Sequence, residues 1–144
     1  MRPQRLGSRT KRGATILLVE DDALSLKLMK DVLEASGYEV AQAINGPDGL
    51  TVARAQSPDL IVIDIGLPGM DGVEVTRTLK ADVTVRSVPI LAVSAYAMPG
   101  DEERMRGAGC NAFMTKPLRF ADFVAAVGRL LAETKAGHRP ATPR

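Results

Sequence analysis

The sequence has a single cysteine, Cys110, no tryptophan and only 3% aromatic residues. One cysteine cannot close an internal disulfide, so nothing in the chain asks for an oxidising compartment; Cys110 reads as a small buried hydrophobe. No apolar run approaches the ~20 residues that span a bilayer. Residues 1–13 are basic but lack the apolar stretch of a secretory signal. A soluble, cytoplasmic protein without membrane contact is the expectation. The one histidine, His138, lies close to the end of the chain and is not read as a metal ligand.

Acidic residues are missing from both ends. Residues 1–13 carry Arg2, Arg5, Arg9, Lys11 and Arg12, and residues 135–144 carry Lys135, Arg139 and Arg144, with no acid in either stretch. Removing these eight from the 19 basic residues leaves 11 against 17 acids, so the body has a charge of −6 although the whole chain is +2. The basicity belongs to the ends, which are rich in Arg, Pro, Gly, Ser and Thr and poor in apolar periodicity. They read as a disordered N-terminal arm (1–13) and a disordered C-terminal tail (135–144) flanking one domain over 14–134. An acidic body with few aromatics speaks against nucleic-acid binding.

Within 14–134 short apolar runs alternate with helical periodicity. Residues 16–19, 38–43, 60–63, 89–93 and 112–114 read as strands. Helices are expected over about 24–36, 46–55, 73–80, 99–105 and 120–131. Asp22 is placed to cap the first helix and Gly37 to stop it. Pro99 stands near the start of the fourth, with three acids in its first turn. Five strands alternating with five helices, the strands continuously apolar, argue an α/β, doubly wound, flavodoxin-like (βα)5 fold. The strand order expected for such a parallel five-stranded sheet is 2-1-3-4-5.

Ligands of such a sheet sit beyond the carboxyl ends of the strands, so the informative residues are those where each apolar run stops. The first run ends in Glu20 and Asp21, the third in Asp64, the fourth in Ser94, and Lys116 follows the fifth. Three carboxylates brought together repel and lose hydration. A divalent cation such as Mg2+, which takes a few hard oxygen ligands and keeps some water, relieves both penalties. A carboxylate is a covalent phosphoryl acceptor. An ammonium and a hydroxyl beside it can hold phosphoryl oxygens. The set reads as phosphoryl transfer to Asp64 followed by hydrolysis. Asp22 and Asp71, by contrast, read as a helix cap and a turn former.

The ordered motifs Val19-Glu20-Asp21-Asp22, Asp59 to Asp64 with Leu67-Pro68-Gly69-Met70-Asp71-Gly72, Val93-Ser94-Ala95 and Thr115-Lys116-Pro117 resemble those of the response-regulator receiver family over about 14–134. Gly100-Asp101-Glu102-Glu103-Arg104 and Gly109-Cys110-Asn111-Ala112 bring the likeness nearest to DivK-type single-domain regulators. The resemblance implies Asp64 as phosphoacceptor and metal ligand, and Asp21 as a direct Mg2+ ligand, with Glu20 acting through water. It gives the Gly66 carbonyl as a further ligand, Ser94 as the switch hydroxyl, Lys116 as the phosphoryl partner and a cis Lys116-Pro117 bond. Phe113 stands at the switch aromatic position, where tyrosine is common, and so lacks that hydroxyl. Gly66 has no side chain to shield or orient an attacking water.

The resemblance further implies a phosphohistidine donor, carried by a sensor histidine kinase or a histidine phosphotransfer protein. It implies a downstream protein target read through the fourth helix, fifth strand and fifth helix. About ten residues after the fifth helix are too few for an output domain, so a stand-alone receiver is expected. Such a protein is not a classical enzyme, although it promotes its own aspartyl phosphorylation and dephosphorylation. A fold-only interaction module would not need the acids and the lysine. An aspartyl phosphohydrolase would want a second Asp two residues after the nucleophile, where Gly66 stands.

Overall fold

The computed structural model describes residues 13–95 and 98–138. Strands β1 (Thr15–Val19), β2 (Glu39–Ala43), β3 (Leu60–Asp64), β4 (Ile90–Ser94) and β5 (Ala112–Thr115) alternate with helices. The helices are α1 (Ala23–Ala35), α2 (Gly46–Gln56), α3 (Gly72–Ala81), α4 (Asp101–Ala108) and α5 (Phe120–His138). All strand pairs are parallel, in the order β2-β1-β3-β4-β5, as expected.

Alternation along each strand feeds two cores, one on each face of the sheet. Ile16, Leu18, Leu60, Val62, Leu91 and Val93 pack with Met29 and Leu33 of α1 and Phe123, Val127 and Leu130 of α5. Leu17, Val19, Ile61, Ile63 and Ala92 point the other way, onto Leu50, Ala53, Val75, Leu79 and Met105 of α2, α3 and α4. The central strands β3 and β4 are buried throughout. A strand covered on both faces needs no polar alternation, which is why these two read as continuous apolar runs.

Cys110 is buried, and burial pushes its thiol above the ordinary range. Asp22 caps α1 by accepting from the Ser25 N–H at 2.9 Å. Asp71, read as a turn former, caps α3 by accepting from the Glu74 N–H at 3.0 Å.

Three helix boundaries differ from expectation, one of them the end of α4, which runs past Met105 to Ala108 and stops at Gly109, at φ +119°. α4 begins at Asp101 rather than at Pro99: Gly100 sits at φ +90°, in the left-handed region that a helix excludes and glycine tolerates. α5 continues past Leu131 to His138. Residues 132–136 contain no helix breaker, and the first proline beyond is Pro140. The stretch 135–138, expected as tail, is therefore helical. The expected arm, apart from Gly13, and residues 139–144 lie outside the described residues.

Candidate functional site

The carboxyl edge of the sheet gathers the predicted residues. β1 pairs with β3 in a register that sets Val19 against Ile63, which brings Glu20 and Asp21 beside Asp64. Carboxylate oxygens of Glu20, Asp21 and Asp64 all lie within 4.8 Å of one another. Glu20 and Asp64 are buried, and Asp21 is exposed. The Lys116 N–H donates to the Ser94 carbonyl at 2.8 Å, extending the β4–β5 ladder and carrying the lysine to the same edge. The Lys116-Pro117 bond is cis, as the resemblance implied.

The Lys116 ammonium donates to Glu20 Oε1 at 2.6 Å and stands 3.7 Å from Asp64 Oδ2. One cation thus faces two carboxylates, and the third has no cation among the described residues. Burial pushes the Glu20 carboxyl above the ordinary range, while the hydrogen bond from Lys116 and that from the Asp22 N–H (3.1 Å) pull it back. The site concentrates negative charge, and burial leaves the Glu20 and Asp64 carboxylates poorly screened.

Backbone groups fix Asp64 itself. The Gly66 N–H donates to Asp64 Oδ1 at 3.1 Å, and the Ile65 N–H donates to the Val93 carbonyl at 2.9 Å. Gly66 is exposed, and a methyl group there would meet only Asp64 Oδ1, at 3.9 Å. Ser94 is buried at the end of β4. Phe113 is half-buried on β5 and lines a groove of about 700 Å³ together with Met98, Glu102, Arg106 and Thr115. Ser94 and Phe113 are therefore not part of the acid cluster: Ser94 follows Val93, the β4 partner of Asp64, and Phe113 lines the groove beside α4.

Gly72 belongs to this frame although its motif alone did not say why. A Cβ at Gly72 would lie 2.7 Å from both the Asp64 carbonyl oxygen and Ile65 Cα. Only glycine lets the first turn of α3 close on the backbone that carries Asp64. The signal was the glycine at the end of a turn-rich loop; its partner is set by the tertiary fold. Asp101, 6% exposed, is another residue whose surroundings the sequence does not reveal.

Three hard-oxygen side chains at one focus suit a small divalent cation. Among the described residues no helix is long and apolar enough to cross a membrane.

The response regulator receiver domain family matches residues 16–128. The polar-differentiation response regulator DivK of Brucella anthropi is 44% identical over 119 residues, which cover 83% of this chain and 97% of DivK. Among solved structures, a CheY-like response regulator receiver domain protein from Methanospirillum hungatei is similar at 30% identity and TM-score 0.81, covering 87% of this chain and 98% of its own. The receiver domain of a sensor histidine kinase from Pseudomonas aeruginosa is similar at 34% identity and TM-score 0.78, covering 83% and 98%. It was solved with a magnesium ion coordinated in its active-site cleft.

Proposed function

This chain belongs to the response-regulator receiver family of two-component phosphorelay signalling, and we propose that within it Asp64 takes the phosphoryl group from a phosphohistidine donor. The observation that carries this is the focus of Glu20, Asp21 and Asp64 with a single ammonium, that of Lys116, between two of them. A purely structural cluster would be expected to pair its acids.

An Asp64 carboxylate oxygen attacks phosphorus as the P–N bond of the donor breaks and its imidazole leaves. Lys116, 3.7 Å from Asp64, shifts toward one phosphoryl oxygen, and the Ser94 hydroxyl donates to another. Asp21, Asp64, the Gly66 carbonyl and, through water, Glu20 would hold Mg2+. When bound, the ion offsets the charge that the carboxylates and the phosphoryl group bring together. The protein then acts on its own residue rather than on a stream of substrates. Water that reaches the open face above Gly66 returns Asp64 to a free carboxylate.

The donor in this reading is a sensor histidine kinase or a histidine phosphotransfer protein, and the setting is the cytoplasm. The kinase to which the Pseudomonas receiver belongs supports the donor, and the magnesium ion in that receiver supports the Mg2+ site. Output passes through α4, β5 and α5. Ser94 moves in toward the phosphoryl group and vacates space toward β5, which the Phe113 ring enters. Phe113 has no hydroxyl to desolvate and enters an apolar space at lower cost than tyrosine would. A downstream protein that binds the two arrangements with different affinity reads the state.

Phosphoramidate, a small P–N donor, tests the transfer and the metal together. Wild type with Mg2+ should be labelled. Asp21→Ala should require far more Mg2+ for the same rate. Equal Mg2+ dependence in the two proteins would remove Asp21 from the metal site.

A further inference from the structure

The chain carries one thiol and six thioethers, and the fold treats them unequally. Met105 is fully buried, Met29 is 2% exposed and Cys110 is buried as well. Met70 and Met114 are half-buried, packed against the cores on opposite faces of the sheet. Met98 is 63% exposed, and among the described residues no other sulfur-bearing side chain stands in the open. Its backbone is fastened there. The Met98 N–H donates to Asp101 Oδ2 at 2.7 Å, and the Met98 carbonyl accepts from the Asp101 N–H at 3.0 Å.

Exposure decides which sulfur meets an oxidant. A thioether needs no prior loss of a proton, so its oxidation follows access to the sulfur. A thiol reacts as the thiolate, and Cys110 is covered, with its thiol pushed above the ordinary range by burial. A hydroperoxide therefore meets Met98 first. A sulfur lone pair attacks the outer peroxide oxygen, the S–O bond forms and the O–O bond breaks. The sulfur gives up two electrons and the peroxide takes them. The proton of the outer oxygen passes to the departing hydroxide or alkoxide, which leaves as water or an alcohol. The place of Met98 gives this step a consequence. It lines a groove with Glu102, Arg106, Phe113 and Thr115, and Met98 and Phe113 are the large apolar side chains there. A sulfoxide is polar and its oxygen wants a donor, so a partner that covers it with apolar surface binds less well.

We propose that Met98 is a peroxide-sensitive modification site, and that its sulfoxide alters the groove shared with Phe113 while leaving phosphorylation of Asp64 intact. That this groove belongs to the output face rests on the functional reading above; the oxidation itself does not. The full chain and its Met98→Leu variant are treated with hydrogen peroxide, sampled over time and mapped by peptide mass spectrometry. Met98 should gain one oxygen at least roughly tenfold faster than Met29, Met70, Met105, Met114 or Cys110. Met1, outside the described residues, is followed on its own peptide. Amide spectra should show shifts at Phe113 and Thr115 in oxidised wild type, reversed by methionine sulfoxide reductase, and none in peroxide-treated Met98→Leu. Acetyl phosphate with Mg2+ should label wild type equally before and after oxidation.

Oxidation of Cys110 or of another described methionine as fast as Met98 would overturn the site. Rapid oxidation of Met98 that left Phe113 and Thr115 unshifted would overturn its effect on the groove. Labelling lost together with the Met98 thioether would show that the two chemistries are not separate. Absence of label from wild type before any peroxide is added would instead remove the phosphoacceptor reading, and the order of oxidation would still decide the site.

Discussion

A cluster of three carboxylates in this protein and a single carboxylate elsewhere in it live in opposite surroundings. At the carboxyl edge of the sheet Glu20, Asp21 and Asp64 face one another within 4.8 Å and share Lys116. In the turn after α3, Asp82 accepts from Arg54 Nε at 2.7 Å and from the hydroxyl and N–H of Thr84 at 2.7 and 3.0 Å, and its carboxyl is held down to about 2. The turn is over-satisfied and the rim is under-satisfied. Carboxylates that hold a turn are each given donors of their own. Those at the rim share one ammonium among the described residues, which in the proposed function leaves room for a cation. The contrast separates an acid held by donors of its own from acids held close together with one ammonium between two of them.

Removing the rim's one ammonium is the largest perturbation of that contrast. The Lys116 side chain is 15% exposed and that of Glu20 1%, so Lys116→Met leaves a buried carboxylate unpaired. It should lower unfolding free energy by about 3 kcal/mol in urea melts. Added Mg2+ should recover part of this loss, because an ion that binds only the folded state stabilises it. A variant as stable as wild type without Mg2+ would mean that the rim acids do not repel.

Moving the frame while keeping every charge is the next test. Gly72→Ala places a methyl group 2.7 Å from backbone atoms of Asp64 and Ile65 that cannot rotate away. A loss of about 2 kcal/mol is expected, with slower phosphorylation of Asp64 under conditions where the variant is fully folded. Unaltered kinetics would show that the loop does not need this close approach.

The satisfied side gives the smallest effect. Asp82 has its carboxyl below its ordinary 3.8 in the folded state. Its contribution is therefore complete above that value and is lost as pH falls from 3.8 through about 2. Asp82→Asn should lower the urea midpoint slightly at neutral pH, and the gap from wild type should close in acid. Phosphorylation should not change. A gap that widened on acidification would contradict the assignment of Arg54 and Thr84 as the groups holding Asp82.

The site was legible because its residues stand where apolar runs stop, and a parallel sheet turns those stops into one edge. Glu20, Asp21, Asp64, Ser94 and Lys116 could be picked out as candidates for that reason; the strand order came instead from the known order of flavodoxin-like sheets, and the structure bears it out. The start of α4 was not legible. Pro99 is an ordinary first-turn residue, and only the left-handed backbone of Gly100 pushes the helix onward to Asp101. Nor was the burial of Asp101, which reads as one of three first-turn acids and is in fact bonded to the Met98 backbone and to Arg104. The contact of Gly72 with Asp64 and the full length of α5 were hidden for the same reason: tertiary neighbours decide them, not local pattern.

The central claim is that Asp64 of the under-satisfied rim is the acceptor. Intact-mass spectrometry after incubation with Mg2+ and acetyl phosphate tests it most directly, on wild type, Asp64→Asn and Asp82→Asn. Wild type and Asp82→Asn should each gain one phosphoryl mass, and Asp64→Asn none. A phosphoryl mass on Asp64→Asn, or none on wild type, would contradict the account.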